Sequence, residues 1–103
     1  MDEVPIVDDR LITVGCEPDR DRWRCEVRIG DGPDATRHQV AVRDEDLLRL
    51  APAGTSVERV VEASFAFLLE REPRESILGQ FDLPVIGRYF PEYEREIRRR
   101  LGA

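Results

Sequence analysis

The sequence contains no lysine and no asparagine, and all sixteen of its basic side chains are arginine. The absence of lysine excludes Schiff-base chemistry, a lysine general base and a P-loop, because each of these needs an ε-amino group. The single histidine, His38, is in phase with neighbouring apolar residues, which predicts a structural role at the margin of the core. No nucleophile–base pair, metal set or cofactor motif is visible, so we predict a protein that is not an enzyme and binds no cofactor.

Long apolar runs are missing as well. No stretch of the sequence approaches the ~18 apolar residues that a membrane-spanning helix needs. The first residues are acidic, unlike those of a signal peptide. We therefore expect a cytoplasmic protein that does not interact with membranes.

Cysteine is scarce, with only Cys16 and Cys25 in the chain. Their spacing fits neither a CxxC redox pair nor a four-ligand zinc site. Two cysteines in a chain without a signal peptide indicate a reducing compartment. Both occupy apolar positions of strand patterns, so we predict reduced, buried and inert thiols.

With 103 residues, of which 41% are hydrophobic and 37% are charged, the chain is long enough for one hydrophobic core. We predict a single domain that spans residues 1–103. Residues 1–10 are rich in acidic side chains, contain a proline and show no helical period. We expect them to form a mobile or loosely docked acidic arm.

Alternating apolar and polar residues predict three strands in the first half of the chain. The predicted strands cover residues 11–17, 22–29 and 37–43. Turns rich in proline, glycine and aspartate separate them, so we expect an antiparallel meander with one apolar face. Aligning the apolar positions places Cys16 opposite Trp23. The same alignment places Val14 opposite Cys25, so the two cysteines are diagonal neighbours rather than a facing pair.

Helical spacing replaces alternation after the third strand. Thr55 and Glu58 form a capping-box pattern that opens a long helix, which we expect to end near Arg71. Its wide apolar stripe indicates the central helix of the core. Three later prolines begin further short helices, the first of which runs from Pro73 to include Phe81. The predicted fold class is therefore α+β, with a three-stranded antiparallel β-meander followed by four to five helices packed on one sheet face.

The outward face of the predicted sheet is the first candidate site, because alternation turns five arginines away from the core. They are Arg22, Arg24, Arg28, Arg37 and Arg43. Five guanidinium groups on one face favour bidentate binding of phosphates or docking of the acidic arm, while the alternative is a solvated surface. The net charge of −6 and the lack of interleaved aromatic residues work against nucleic-acid binding.

An aromatic cluster near the C-terminus is the second candidate site. It consists of Arg88, Tyr89, Phe90 and Tyr93. Arginine and aromatic side chains are enriched at protein–protein interfaces, which favours a surface for a partner. The alternative is that Phe90 and Tyr93 close the end of the core, and the sequence supports both interpretations equally.

Two segments in the C-terminal part of the chain, FLLEREP at 67–73 and FDLPVIGRYFP at 81–91, resemble the C-terminal half of small uncharacterised bacterial proteins. The resemblance implies no activity and no site residue. We interpret the chain as a non-enzymatic protein-interaction or regulatory domain that binds a protein partner or a second copy of itself. The alternative function is nucleic-acid or polyanion binding through the arginine face.

Overall fold

The strand β2, Arg22–Ile29, lies between β1, Ile12–Asp19, and β3, Thr36–Arg43. Both neighbours pair with it in the antiparallel sense, as alternation predicts. This computed structural model describes residues 11–103, so the predicted acidic arm at 1–10 lies outside the described residues. Apolar side chains at every second position give these strands one face that is buried and one that is not.

A fourth strand, β4 at Gln80–Asp82, joins the sheet beside β3 and runs parallel to it. The α+β fold class is confirmed, but the sheet within the described residues is a mixed, four-stranded one rather than a three-stranded meander. The helix predicted from Pro73 to Phe81 is wrong, because this segment forms a 3-10 turn at Arg74–Ser76 and then β4. A strand of three residues is too short to show the alternation that predicts strands from sequence.

Four α-helices follow β3 within the described residues. They are α1 at Asp44–Leu50, α2 at Val57–Leu69, α3 at Ile86–Tyr89 and α4 at Tyr93–Leu101. The longest helix, α2, lies across β1 and β2, and α4 packs against α1 and α2. No helix in residues 11–103 combines the length and the apolar character that a membrane crossing requires.

The N-terminal cap of α2 is Ser56 rather than the predicted Thr55. The Ser56 hydroxyl oxygen accepts a hydrogen bond from the Arg59 backbone N–H at 3.2 Å. The Thr55 hydroxyl instead donates to the Pro52 carbonyl at 2.7 Å, which closes the preceding turn. Serine and threonine are both good caps, so their adjacency in the sequence could not decide which one begins the helix.

The core lies between α2 and the inner face of the sheet. Phe65 and Phe67 of α2 are fully buried, as is Val27 of β2. His38 is buried at the margin, where its Nδ1–H donates to the Leu78 carbonyl at 2.8 Å. Its ring lies 5.5 Å from the Phe65 ring between centroids. The histidine therefore has the structural surroundings that its position in the strand predicts.

The register of β1 on β2 differs from the predicted one by two residues and places Cys16 directly opposite Cys25. The cause is a hairpin turn of only two residues, Arg20–Asp21, in which Arg20 has a φ of 64°. A shift of two residues keeps every side chain on its predicted face, because the side-chain period of a strand is two. The direction of each side chain was thus predicted correctly, but the residue opposite it on the neighbouring strand was not.

Cys16 and Cys25 form a disulfide, so the prediction of reduced thiols is wrong. Cys25 is fully buried, and Cys16 packs against the same core from the β1 side. The predicted cytoplasmic location stays a prediction, and the disulfide does not support it, because disulfides persist mainly in oxidising compartments.

Replacing both cysteines by alanine should lower the free energy of unfolding by roughly 2–3 kcal/mol, because the disulfide closes a short loop in the unfolded chain. Urea denaturation of the unreduced protein and of the variant measures the difference. Wild-type protein treated with a reductant should lose about the same amount. Two reactive thiols per chain in the denatured, unreduced protein would contradict the disulfide.

Candidate functional site

The face of the sheet that points away from α2 is built by the outward residues of β1, β2 and β3. We call it the open face, and it comprises alternate residues of the ranges 13–19, 22–28 and 37–43. On β2, Cys25 and Val27 are fully buried, whereas Arg24 and Glu26 are exposed. The strand pairings align outward positions in rows across the sheet.

All five arginines predicted for this face lie on it. They are Arg22, Arg24, Arg28, Arg37 and Arg43. Hydrophobic burial of the intervening residues positions them, so no special motif was needed to predict their direction.

At one end of the open face, acidic side chains pair with Arg22 and Arg24, whereas no ion pair to a described carboxylate is formed by Arg43, which lies opposite Arg22 on β3. Nη2 of Arg24 lies 3.3 Å from Oε2 of Glu17, and Nη1 of Arg24 lies 4.0 Å from Oδ2 of Asp19. Nε of Arg22 lies 3.6 Å from Oδ1 of Asp21. Exposed ion pairs such as these contribute little stability, but they offset the positive charges of Arg22 and Arg24.

At the other end of the open face, Arg28 and Arg37 lie directly opposite each other on β2 and β3. We call these two residues the arginine pair. No carboxylate of the described residues forms an ion pair with either of them. Nη2 of Arg28 donates to the Gly32 carbonyl at 3.4 Å, and Nε of Arg28 is buried with no acceptor in the part of the chain that the structure describes. Facing like charges repel, so this end carries a cationic pair without compensation.

A depression lies beside the arginine pair because Gly15 of β1 has no side chain. Gly15 is exposed in extended backbone, and a Cβ atom at this position would meet no other atom within 4 Å. The depression has a volume of about 750 Å³, and we call it the Gly15 hollow. Glu26 lies opposite Gly15 across the strand pair. A lone glycine within a strand pattern is the sequence signal that would have located the hollow.

The second candidate site is divided between core and surface, and two of its residues belong to the core. Tyr93 is buried, and its hydroxyl is hydrogen-bonded to Oγ of Ser64 at 2.7 Å. This burial raises the pKa of Tyr93 well above its ordinary value. Phe90 is half-buried, and its ring packs edge-on against the Phe67 ring at 6.0 Å. These two aromatic residues close the end of the core.

The other two residues of this cluster, Arg88 and Tyr89, are exposed. Tyr89 is 66% exposed and Leu78 is 48% exposed, and both line an apolar cleft of about 160 Å³. The cleft is large enough for roughly one apolar side chain. Leu78 was missed by sequence reasoning because it was assigned to a helix that does not form.

Arg99 and Arg100 at the C-terminal end of α4 form ion pairs within the protein. Arg99 and Arg100 both pair with Glu96, and their hydrogen bonds lower the pKa of Glu96 to about 2. Arg100 also pairs with Glu70, the residue that caps the C-terminal end of α2, at 2.5 Å. This network links α2 to α4 and leaves little basic charge for a ligand. Within residues 11–103, no group of three or more histidine, cysteine, aspartate or glutamate residues is arranged to hold a metal ion.

No protein-family model, curated protein or solved structure matches the chain. The resemblance of residues 67–91 to small bacterial proteins stays a prediction.

Replacing Tyr93 by alanine should lower the free energy of unfolding by about 3 kcal/mol or more, because it opens a cavity in the core. Replacing Tyr89 by alanine should change it by less than about 0.5 kcal/mol, because this side chain is exposed. Urea denaturation of the two variants measures both effects. Equal losses would show that the two tyrosines are not divided between core and surface.

Proposed function

We propose that this chain is a non-enzymatic protein-interaction domain that binds an extended segment of a partner, of mixed charge, on its open face. The observation that carries the proposal is the arginine pair, Arg28 and Arg37, which has no carboxylate partner among the described residues. At the other end of the face, Arg22 and Arg24 are paired with acids and have less to gain from a ligand.

An anionic side chain on the partner would relieve the repulsion within the arginine pair. Guanidinium groups bind carboxylates through two parallel N–H···O bonds, which gives both attraction and a defined geometry. The sheet holds the backbones of both arginines in place, so only their side chains need to be ordered on binding. The open face is therefore suited to recognise an acidic side chain.

Glu26 determines what should accompany that acidic side chain. It lies two residues from Arg28 on the same face of β2, at a distance of about 7 Å along the strand. A ligand with an anion on the arginine pair would bring its next outward side chain close to Glu26. A cation at that position is attracted and an anion is repelled, so we propose a ligand with an acidic and a basic residue two positions apart.

Nucleic-acid binding is the second candidate function, since the same arginine pair would attract a phosphate backbone. Such a polymer would also run past Glu26 and past the acids that neutralise Arg24. The net charge of −6 adds a general repulsion. The charge pattern of the face therefore favours a peptide ligand over a nucleic acid.

The test is fluorescence anisotropy at low salt with a labelled Gly/Ser peptide that carries one Asp and one Lys two positions apart. Changing Arg28 and Arg37 together to glutamine should weaken binding by about tenfold, because both guanidinium contacts are lost. The matched control changes Arg59 and Arg95 to glutamine, which are exposed residues on the helices. This control alters the net charge equally and should leave the affinity within about twofold.

Equal weakening by the two double variants would show that only net charge attracts the peptide, and this would contradict the proposal. Glu26→Gln gives a second comparison, because it should weaken binding of the mixed-charge peptide and strengthen binding of a single-stranded oligonucleotide. Tighter binding of the oligonucleotide than of the peptide by the wild-type protein would favour the second candidate function.

A further inference from the structure

We infer that the arginine pair and the Gly15 hollow together form a binding site for a dianionic phosphate group. The inference rests on the proposed function, because it names the anion that the same open face prefers. Arg28, Arg37 and Thr13 lie in one row across the three strands, and Gly15 follows Thr13 on the same face of β1.

The charge of the arginine pair matches a phosphate better than a carboxylate. Arg28 and Arg37 are directly opposite residues of β2 and β3, and neither forms an ion pair with a carboxylate of the described residues. A carboxylate carries one negative charge and leaves half of the pair uncompensated. A phosphate monoester carries about −1.5 to −2 at pH 7 and has three acceptor oxygens, so a single group can bind both guanidiniums.

Most hydrogen-bond donors in the row of Thr13, Arg28 and Arg37 form no hydrogen bond within the described residues. The contact from Nη2 of Arg28 to the Gly32 carbonyl is long, at 3.4 Å, and Nε of Arg28 has no acceptor among residues 11–103. Nε of Arg28 is buried and out of a ligand's reach, but a guanidinium group carries five N–H donors, so most donors of Arg28 and Arg37 are still available to a ligand. The exposed Thr13 beside Arg28 adds a hydroxyl donor to the same row.

The Gly15 hollow provides the room that a tetrahedral group needs. A Cβ atom at Gly15 would meet nothing within 4 Å, so the space beside the row is open to solvent. A larger side chain at this position would project into it, because outward residues of a strand stand roughly perpendicular to the sheet. The site therefore depends on a missing side chain as well as on the arginines.

Glu26 limits which kinds of ligand can carry the phosphate to this site. It lies opposite Gly15 and lines the hollow itself, so it would hold the phosphate at the Arg28 end of the hollow and repel a second anion. A phosphorylated side chain with a lysine or arginine two residues away fits both charges, whereas a run of phosphates does not. The remaining source of the same chemistry is free phosphate, and the experiment distinguishes the two.

The experiment compares a phosphoserine peptide, the same peptide with Asp in that place, and inorganic phosphate, each titrated by calorimetry. The phosphopeptide should bind about tenfold more tightly than the Asp peptide at pH 7.5, because its charge is higher. This advantage should fall at pH 5, where the phosphate, with a second pKa near 6, has taken up a proton. Inorganic phosphate that binds as tightly as the phosphopeptide would support the site and assign it to free phosphate.

Gly15→Val is the decisive variant, because it places a branched side chain in the hollow beside the row without changing any charge. Valine suits an extended strand, so thermal unfolding should show a folded protein. The ratio of the two peptide affinities should fall from about ten to about one in this variant. The control variant, in which Arg59 and Arg95 are changed to glutamine, should keep the wild-type ratio of the two peptide affinities.

Two results would overturn the inference. One is a wild-type protein that binds the phosphopeptide no more tightly than the Asp peptide, and the other is a Gly15→Val protein that keeps the full ratio. If the Arg28→Gln, Arg37→Gln double variant still weakens binding of the Asp peptide, then the proposed function stands and only the phosphate site is lost. If this double variant binds both peptides like the wild type, the proposed function and the phosphate site are both wrong.

Discussion

Burial of every second side chain of β2 determines which face of the sheet packs under the helices and which face carries the arginines. Cys25, Val27 and Ile29 are completely buried beneath the helices, and burial of each apolar side chain contributes roughly 1.5–3 kcal/mol. A slip of one residue would expose this row and turn Arg24 and Arg28 into the core, where an unpaired charge is very unfavourable. The outward direction of these arginines is therefore set by the stability of the core and not by any contact of their own.

On the proposed function, the arginine pair lowers the stability of the free protein and favours the binding of an anion. Arg28 and Arg37 repel each other across the strands, yet the core keeps them facing each other. A protein selected for stability alone would place an acid opposite one of them, as Glu17 lies opposite Arg24 at the other end of the face. On the proposed function, an anionic ligand would relieve this repulsion, and this relief would add to the free energy of binding.

The side of the sheet that each strand residue faces was predicted correctly, but the residue opposite it on the neighbouring strand was not. Both results follow from the period of two in a strand. The direction of every arginine on the open face follows from alternation alone. The register does not, because a shift of two residues matches apolar positions equally well, and this ambiguity concealed the Cys16–Cys25 disulfide. The strand β4 was too short to show a pattern, and Tyr93 could not be separated from Tyr89 until their exposures were known. The hollow at Gly15 was missed although a lone glycine within a strand pattern signals such a gap.

The most direct test of the account is a map of backbone amide NMR shifts as the mixed-charge Asp/Lys peptide is added to the wild-type protein. Binding on the open face predicts the largest shift changes at Gly15, Arg28 and Arg37, with Leu78 and Tyr89 unaffected. Shift changes centred on Leu78 and Tyr89 would show that the apolar cleft is the interaction surface and would contradict the account. The absence of any shift change at saturating peptide would contradict it as well.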